Sequence, residues 1–163
     1  MPIRLLPRFL LLSIVLSLLT HPALAQWTAP NPITRVQKQA DGILLHLKTG
    51  TLRFQVCSPA IVHLTYSPSD QFPTTTNPAI IKSDWPQTQW EVQEAAGAVT
   101  LSTAALKIAV DRKTGSITYS DTSGHALLHD DSKTMTLVTV NGEKTYRAED
   151  YMTLGGYLSL IHI

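Results

Sequence analysis

The chain has a single cysteine in 163 residues, no proline after Pro86 and, past its first two dozen residues, no sustained apolar stripe at helical spacing. Each absence excludes something. Cys57 cannot form an intrachain disulfide, and with no motif or histidine partner to activate it, it reads as a small packed thiol at a strand end. A proline-free second half leaves every backbone N–H available to a ladder, which suits consecutive strands. Without a 3.6-residue stripe, no helix of ordinary length is expected there. Neither sign of charge dominates: 13 Lys and Arg stand against 12 Asp and Glu, for a net charge of +1. The basic residues are scattered, so neither nucleic acid nor a membrane surface is an expected partner. There is no Gly-x-Ser-x-Gly, no phosphate loop and no Rossmann fingerprint.

What is present begins with a leader. Arg4 and Arg8 precede the apolar run Phe9–Leu19, and Ala23-Leu24-Ala25 follows it, the arrangement of a cleavable secretory signal peptide. The run falls short of the roughly 20 residues of a membrane span. Residues 1–25 are therefore assigned to the signal and a secreted or periplasmic location is expected. Loss of Arg4 and Arg8 leaves the acidic residues one in excess, in a chain of one-domain size. Residues 26–33, with Pro30 and Pro32, are expected to form an extended, poorly ordered lead-in. The domain is placed at 34–154.

Within it the stretch Leu106–Asp130 organises the reading. Ile108 and Val110, then Ile117 and Tyr119, alternate with polar or small residues, and Asp111–Gly115 and Asp121–Gly124 are turn signals between them. This is the pattern of a β-meander. Upstream, Thr34–Gln39, Ile43 to Leu47, Leu52 to Val56 and Val62 to Tyr66 read as short strands, with a hairpin turn at Asp41-Gly42. Ser67–Gln87 carries four prolines and reads as a long loop, interrupted by a brief strand at Ala79–Lys82. Downstream come strands at Trp90 and Val92, Val99 and Leu101, Met135–Val140 and, after the Asn141-Gly142 turn, Glu143–Ala148. The expected fold class is all-β, an antiparallel β-sandwich.

No catalytic, cofactor or metal residue emerges. Asp130-Asp131 and Glu149-Asp150 are adjacent carboxylates, but neighbours on a strand point to opposite faces and do not converge on one bond. Asp111 and Asp121 suit turns. His46 and His63 sit on polar faces of separate strands, and His125 and His129, four apart on an extended chain, are about 13 Å from each other, too far to share an ion. Trp85, Trp90 and Tyr66 could stack on sugar rings as a carbohydrate-binding module, although covering a sandwich edge is the plainer role for the two indoles.

The motif Asp111-x-x-x-Gly115-Ser116-Ile117-Thr118-Tyr119 followed by Asp121-Thr122-Ser123-Gly124, with Leu127-Leu128 after it and Phe54 and Tyr66 on earlier strands, resembles the N-terminal domain of glycoside hydrolase family 31. These are the α-glucosidases and α-xylosidases. The resemblance covers roughly Thr34 to Leu154 and implies a galactose-mutarotase-like sandwich that precedes a catalytic (β/α)8 barrel in the same chain. In that family both catalytic aspartates lie on the barrel, so none is assigned here. The implied parent is a retaining α-glycosidase acting on oligosaccharides, with this domain inactive by itself. A free-standing carbohydrate-binding module is the competing expectation. A true aldose mutarotase is third, since no histidine acid and carboxylate base pair up. The segment Met152-Thr153-Leu154-Gly155-Gly156 stands where the family's Tyr-Gly-Leu-Gly segment is expected. Leu158–Ile163 is expected to be foreign to the domain, because LSLIHI resembles translated adapter sequence; the parent chain is expected to continue beyond it.

N-terminal sequencing of the exported protein is expected to begin at Gln26; a secreted product retaining Met1 would overturn the leader assignment.

Overall fold

The computed structural model describes residues 25–72, 84–154 and 157–162, with the side chains of residues 25–28, 131 and 157–162 left aside. The expected signal peptide, apart from Ala25, and the brief strand at Ala79–Lys82 lie outside the described residues. What is described is all-β, in two antiparallel sheets.

The smaller sheet has the order β2-β3-β4-β5, from β2 (Ile33–Gln39), β3 (Gly42–Leu47), β4 (Thr51–Ser58) and β5 (Ile61–Ser67). In the larger, β6 (Glu91–Glu94), β7 (Ala98–Ser102), β8 (Lys107–Asp111), β9 (Ile117–Ser120), β10 (Ala126–Val140), β11 (Glu143–Leu154) and β12 (Tyr157–His162) lie side by side in chain order. A short β1 (Ala25–Thr28) pairs antiparallel with the middle of β10. Every neighbour along the two main paths is also a neighbour in sequence, so short turns suffice to build them.

Alternation decides which side chains meet. Ile43, Leu45 and Leu47 on β3 and Leu52, Phe54 and Val56 on β4 face Val99 and Leu101 on β7, Ile108 and Val110 on β8, and Ile117 on β9 in one apolar cluster. Leu45 and Val99 are fully buried. Each such aliphatic contributes roughly 1.5–3 kcal/mol by leaving water. Cys57 is buried beside this core, and burial pushes its thiol pKa up, as befits a packed thiol.

The turns hold by the expected chemistry. Asp111 Oδ1 accepts hydrogen bonds from the Lys113 and Thr114 amides at 2.8 and 2.7 Å. Asp121 Oδ1 accepts one from the His125 amide at 2.9 Å. These bonds hold both carboxyls below the usual aspartate range, Asp111 chiefly through Thr114 and Asp121 chiefly through His125. Asn141 and Gly142 both have positive φ, 51° and 86°, as a tight two-residue hairpin requires.

Three features depart from the expected boundaries. The lead-in contains β1, and behind it Asn31 is 2% exposed, with Nδ2 donating to the Thr49 carbonyl at 2.8 Å and Oδ1 accepting from the Thr49 amide at 2.9 Å. The segment is thus clamped to the β3–β4 turn. Second, β10 begins at Ala126 and β11 runs to Leu154, so the hairpin is far longer than Met135–Val140 with Glu143–Ala148. Polar residues at Asp130, Lys133 and Asp150 interrupt the apolar alternation, while a register shift between Asp130 and Ser132 leaves Asp131 as an extra residue. Third, Tyr157–His162, which overlaps the segment expected to be foreign, pairs residue for residue with Glu149–Leu154.

Gly42 faces β4 so closely that a Cβ there would lie 1.9 Å from the Phe54 carbonyl oxygen. Gly142 has nothing within 4 Å of the same position. In urea unfolding, Gly142→Ala is expected to cost about 1 kcal/mol for its left-handed backbone, and Gly42→Ala clearly more; equal losses would contradict the close approach.

Candidate functional site

The three candidate aromatics do not form one platform. Trp90, just before β6, packs against the core and carries the Lys38 ammonium over its ring, with Nζ 4.8 Å from the centroid. Tyr66 lies on β5, at the opposite edge of the smaller sheet from Lys38 on β2, three strand spacings or about 14 Å away. Its hydroxyl donates to the Thr49 carbonyl at 3.2 Å, and burial, then proximity to Tyr146, pushes its pKa up to about 12. Trp85 is half-buried and does not line the groove that Trp90 does. That groove, of about 850 Å³, runs between β2 and β6, edge strands among the described residues, and is lined by Lys38, Gln39, Gln87, Gln89, Trp90 and Glu91 among others. Its amides and opposite charges can bond to hydroxyls of a neutral ligand.

The histidines are engaged locally. His46 accepts at Nε2 from Arg35 Nη2 (2.7 Å), and its Nδ1 lies 3.1 Å from Asp70 Oδ1. Arginine can only donate, so His46 in this bond is the Nδ1–H tautomer and donates to Asp70. Thr51 Oγ1 also donates to Asp70 Oδ1, at 2.6 Å; with His46 it holds the Asp70 carboxyl below its usual range. This network fastens the start of the loop after β5 onto β3 and β4. His129 Nδ1 lies 2.8 Å from Thr118 Oγ1 on β9, and His125 stands over Asp121. Among the described residues, no group of three or more His, Cys, Asp or Glu could hold a metal ion.

Carboxylates do converge, but across strands. Asp130 on β10 and Asp150 on β11 both face the Lys133 ammonium, at 2.5 and 3.6 Å, with side chains 4%, 20% and 16% exposed respectively. Lys133 stands directly opposite Asp150, and the extra residue Asp131 brings Asp130 onto the same face. Burial first, with the Asp130 carboxyl adding to it, raises the Asp150 pKa to about 6. Tyr119 on β9 is pushed up to about 12 by burial and then by the two aspartates. One member of each adjacent pair, Asp130 and Asp150, meets the other across the hairpin. The signal that could have found them is the hairpin register from Asn141-Gly142, which sets position 133 opposite 150.

Residues 51–159 match the model of the glycosyl hydrolase 31 N-terminal galactose mutarotase-like domain. The chain belongs to that family. The fold of this family-31 domain is also that of much longer solved proteins. A family-31 α-xylosidase from Xanthomonas citri superposes with a TM-score of 0.64 at 17% identity, over 72% of this chain and 13% of that one. A family-31 dextranase from Flavobacterium johnsoniae, solved with isomaltotriose and with glucose, superposes with a TM-score of 0.61 at 17% identity, over 78% of this chain and 16% of that one. The domain thus spans less than a fifth of either enzyme. No curated protein sequence matches it.

Because Trp90 packs on the core, Trp90→Ala is expected to destabilise the domain by roughly 2–4 kcal/mol in denaturant unfolding. An unchanged midpoint would make it a surface residue and restore it as a free stacking platform.

Proposed function

We propose that this domain is the non-catalytic N-terminal sandwich of a secreted, retaining α-glycosidase, and that it braces a catalytic (β/α)8 barrel of the same chain. The substrate class is α-linked glucose or xylose in oligosaccharides. One barrel aspartate would attack the anomeric carbon and another would protonate the leaving oxygen, a pairing for which this domain supplies neither member. The observation that carries the bracing role is the long β10–β11 hairpin. Of the six large apolar side chains exposed among the described residues, Leu127, Val140, Tyr146, Tyr151 and Leu154 are on it. By alternation along β11 Tyr146 and Leu154 share one face and Tyr151 the other, while Leu127 and Val140 sit at opposite ends of β10, so the hairpin offers apolar side chains to a neighbouring domain along its whole length.

A second reading, a free-standing carbohydrate-binding module, is favoured by the groove at Trp90. An antibody against the domain, used to recover the native protein, separates the two. The enzyme reading expects a much longer polypeptide that cleaves an aryl α-glucoside or α-xyloside and releases product with the anomeric configuration retained, whereas the 163-residue chain alone shows no turnover. A native protein of this size that binds isomaltotriose and hydrolyses nothing would establish the binding module instead.

A further inference from the structure

The cluster on β10 and β11 has more negative charge than its single lysine can neutralise. Among the described residues, one buried carboxylate, one half-buried carboxylate and one half-buried ammonium leave an excess of −1, and a net charge held largely out of water is costly. The groups facing it among the described residues are Asp130 and Lys133 from β10, Asp150 from β11 and Tyr119 from β9. Lys133 already bonds to Asp130 Oδ2 and lies near Asp150 Oδ2. Asp150 Oδ1 is buried with no hydrogen-bond partner among the described residues, and the Asp130 carboxyl stands at the same ammonium as Asp150 and raises its pKa. Two facing carboxylates are both acceptors, so what is missing between them is a donor.

We propose that Asp130 and Asp150 form a proton-binding site, in which one proton carried by Asp150 is donated to the Asp130 carboxylate while Lys133 neutralises the remaining charge. The shared proton gives the buried oxygen its partner and brings the cluster to zero net charge. It also ties β11 to β10 beside the extra residue Asp131, where the ladder is interrupted. Removal of the proton to solvent leaves two like charges in contact and loosens that end of the hairpin. This is a pH-dependent latch on the element that carries the exposed apolar residues, and it holds whatever that element docks against.

The sign follows from linkage. The Asp150 pKa of about 6 lies above the roughly 3.9 of an unfolded aspartate. The folded state therefore takes the proton more readily. The stabilisation is fully present below about pH 4 and lost as pH rises through about 6, a loss of roughly 100-fold in the folding equilibrium constant. The lowered pKa values of Asp70, Asp111 and Asp121 act oppositely, their stabilisation disappearing as pH falls below the ordinary aspartate range. The full chain should be most stable in mildly acidic solution, between these limits.

The test is a pH titration of the full chain labelled with 13C at the aspartate side-chain carboxyls, read by NMR together with hydrogen exchange at the β10–β11 amides. The expected result is one step near pH 6 at the Asp150 carboxyl. Above that step, amide exchange around Ser132 and Tyr151 should be at least tenfold faster after correction for intrinsic rates. In Asp130→Asn, which removes the facing carboxylate while burial remains, the Asp150 step should move below about 6. An Asp150 titration wholly below pH 5 in the wild type would overturn the proposal, and should the variant fail to fold, that wild-type titration alone decides it.

Discussion

Eleven buried apolar side chains, six from β3 and β4 and five from β7, β8 and β9, hold the two sheets face to face, and the rest of the domain is arranged around that contact. The contact demands that both sheets keep strict alternation where they meet. It also limits how much of the wider sheet the narrower one can cover, because four strands cannot face eight. The strands beyond β9 therefore contribute only partly buried residues such as Met135 to the core, and their side chains answer to other requirements. That is where the charged cluster and the exposed apolar residues are found together.

The legible part of the fold is the part governed by local rules. Leu52, Phe54 and Val56 alternate cleanly, Asn141-Gly142 has few alternatives to a tight hairpin turn, and Asp111 and Asp121 do in the structure what short acidic side chains do in turns generally. Strand extent is illegible wherever burial is not apolar. Asp130, Lys133 and Asp150 occupy inward positions that a search for alternating hydrophobics discards, so both long strands read as half their length. The pairing of β1 with β10 joins segments a hundred residues apart and leaves no local trace. The carboxyl pair is likewise hidden from adjacency along the chain, because its members become neighbours only across the hairpin.

The candidate aromatics illustrate the same division. Nothing in the sequence distinguishes a tryptophan that faces a ligand from one that closes a core, and Trp90 does the second while lining the wall of an open groove. Tyr66 is committed to a backbone carbonyl at the far edge of its sheet. Family membership assigns a domain type that residue chemistry could not, and the turn glycines and alternating strands that carry the resemblance specify a sandwich and no reaction.

Among the described residues β2 and β6 are edge strands that border one groove, and they carry opposite charge, Arg35 and Lys38 on the first against Glu91 and Glu94 on the second. Two copies of the molecule that approached with like edges together would bring like charges opposite one another, which disfavours two-fold symmetric strand pairing at either edge. Charged borders of this kind act as gatekeepers, disfavouring the addition of a further strand at these two edges.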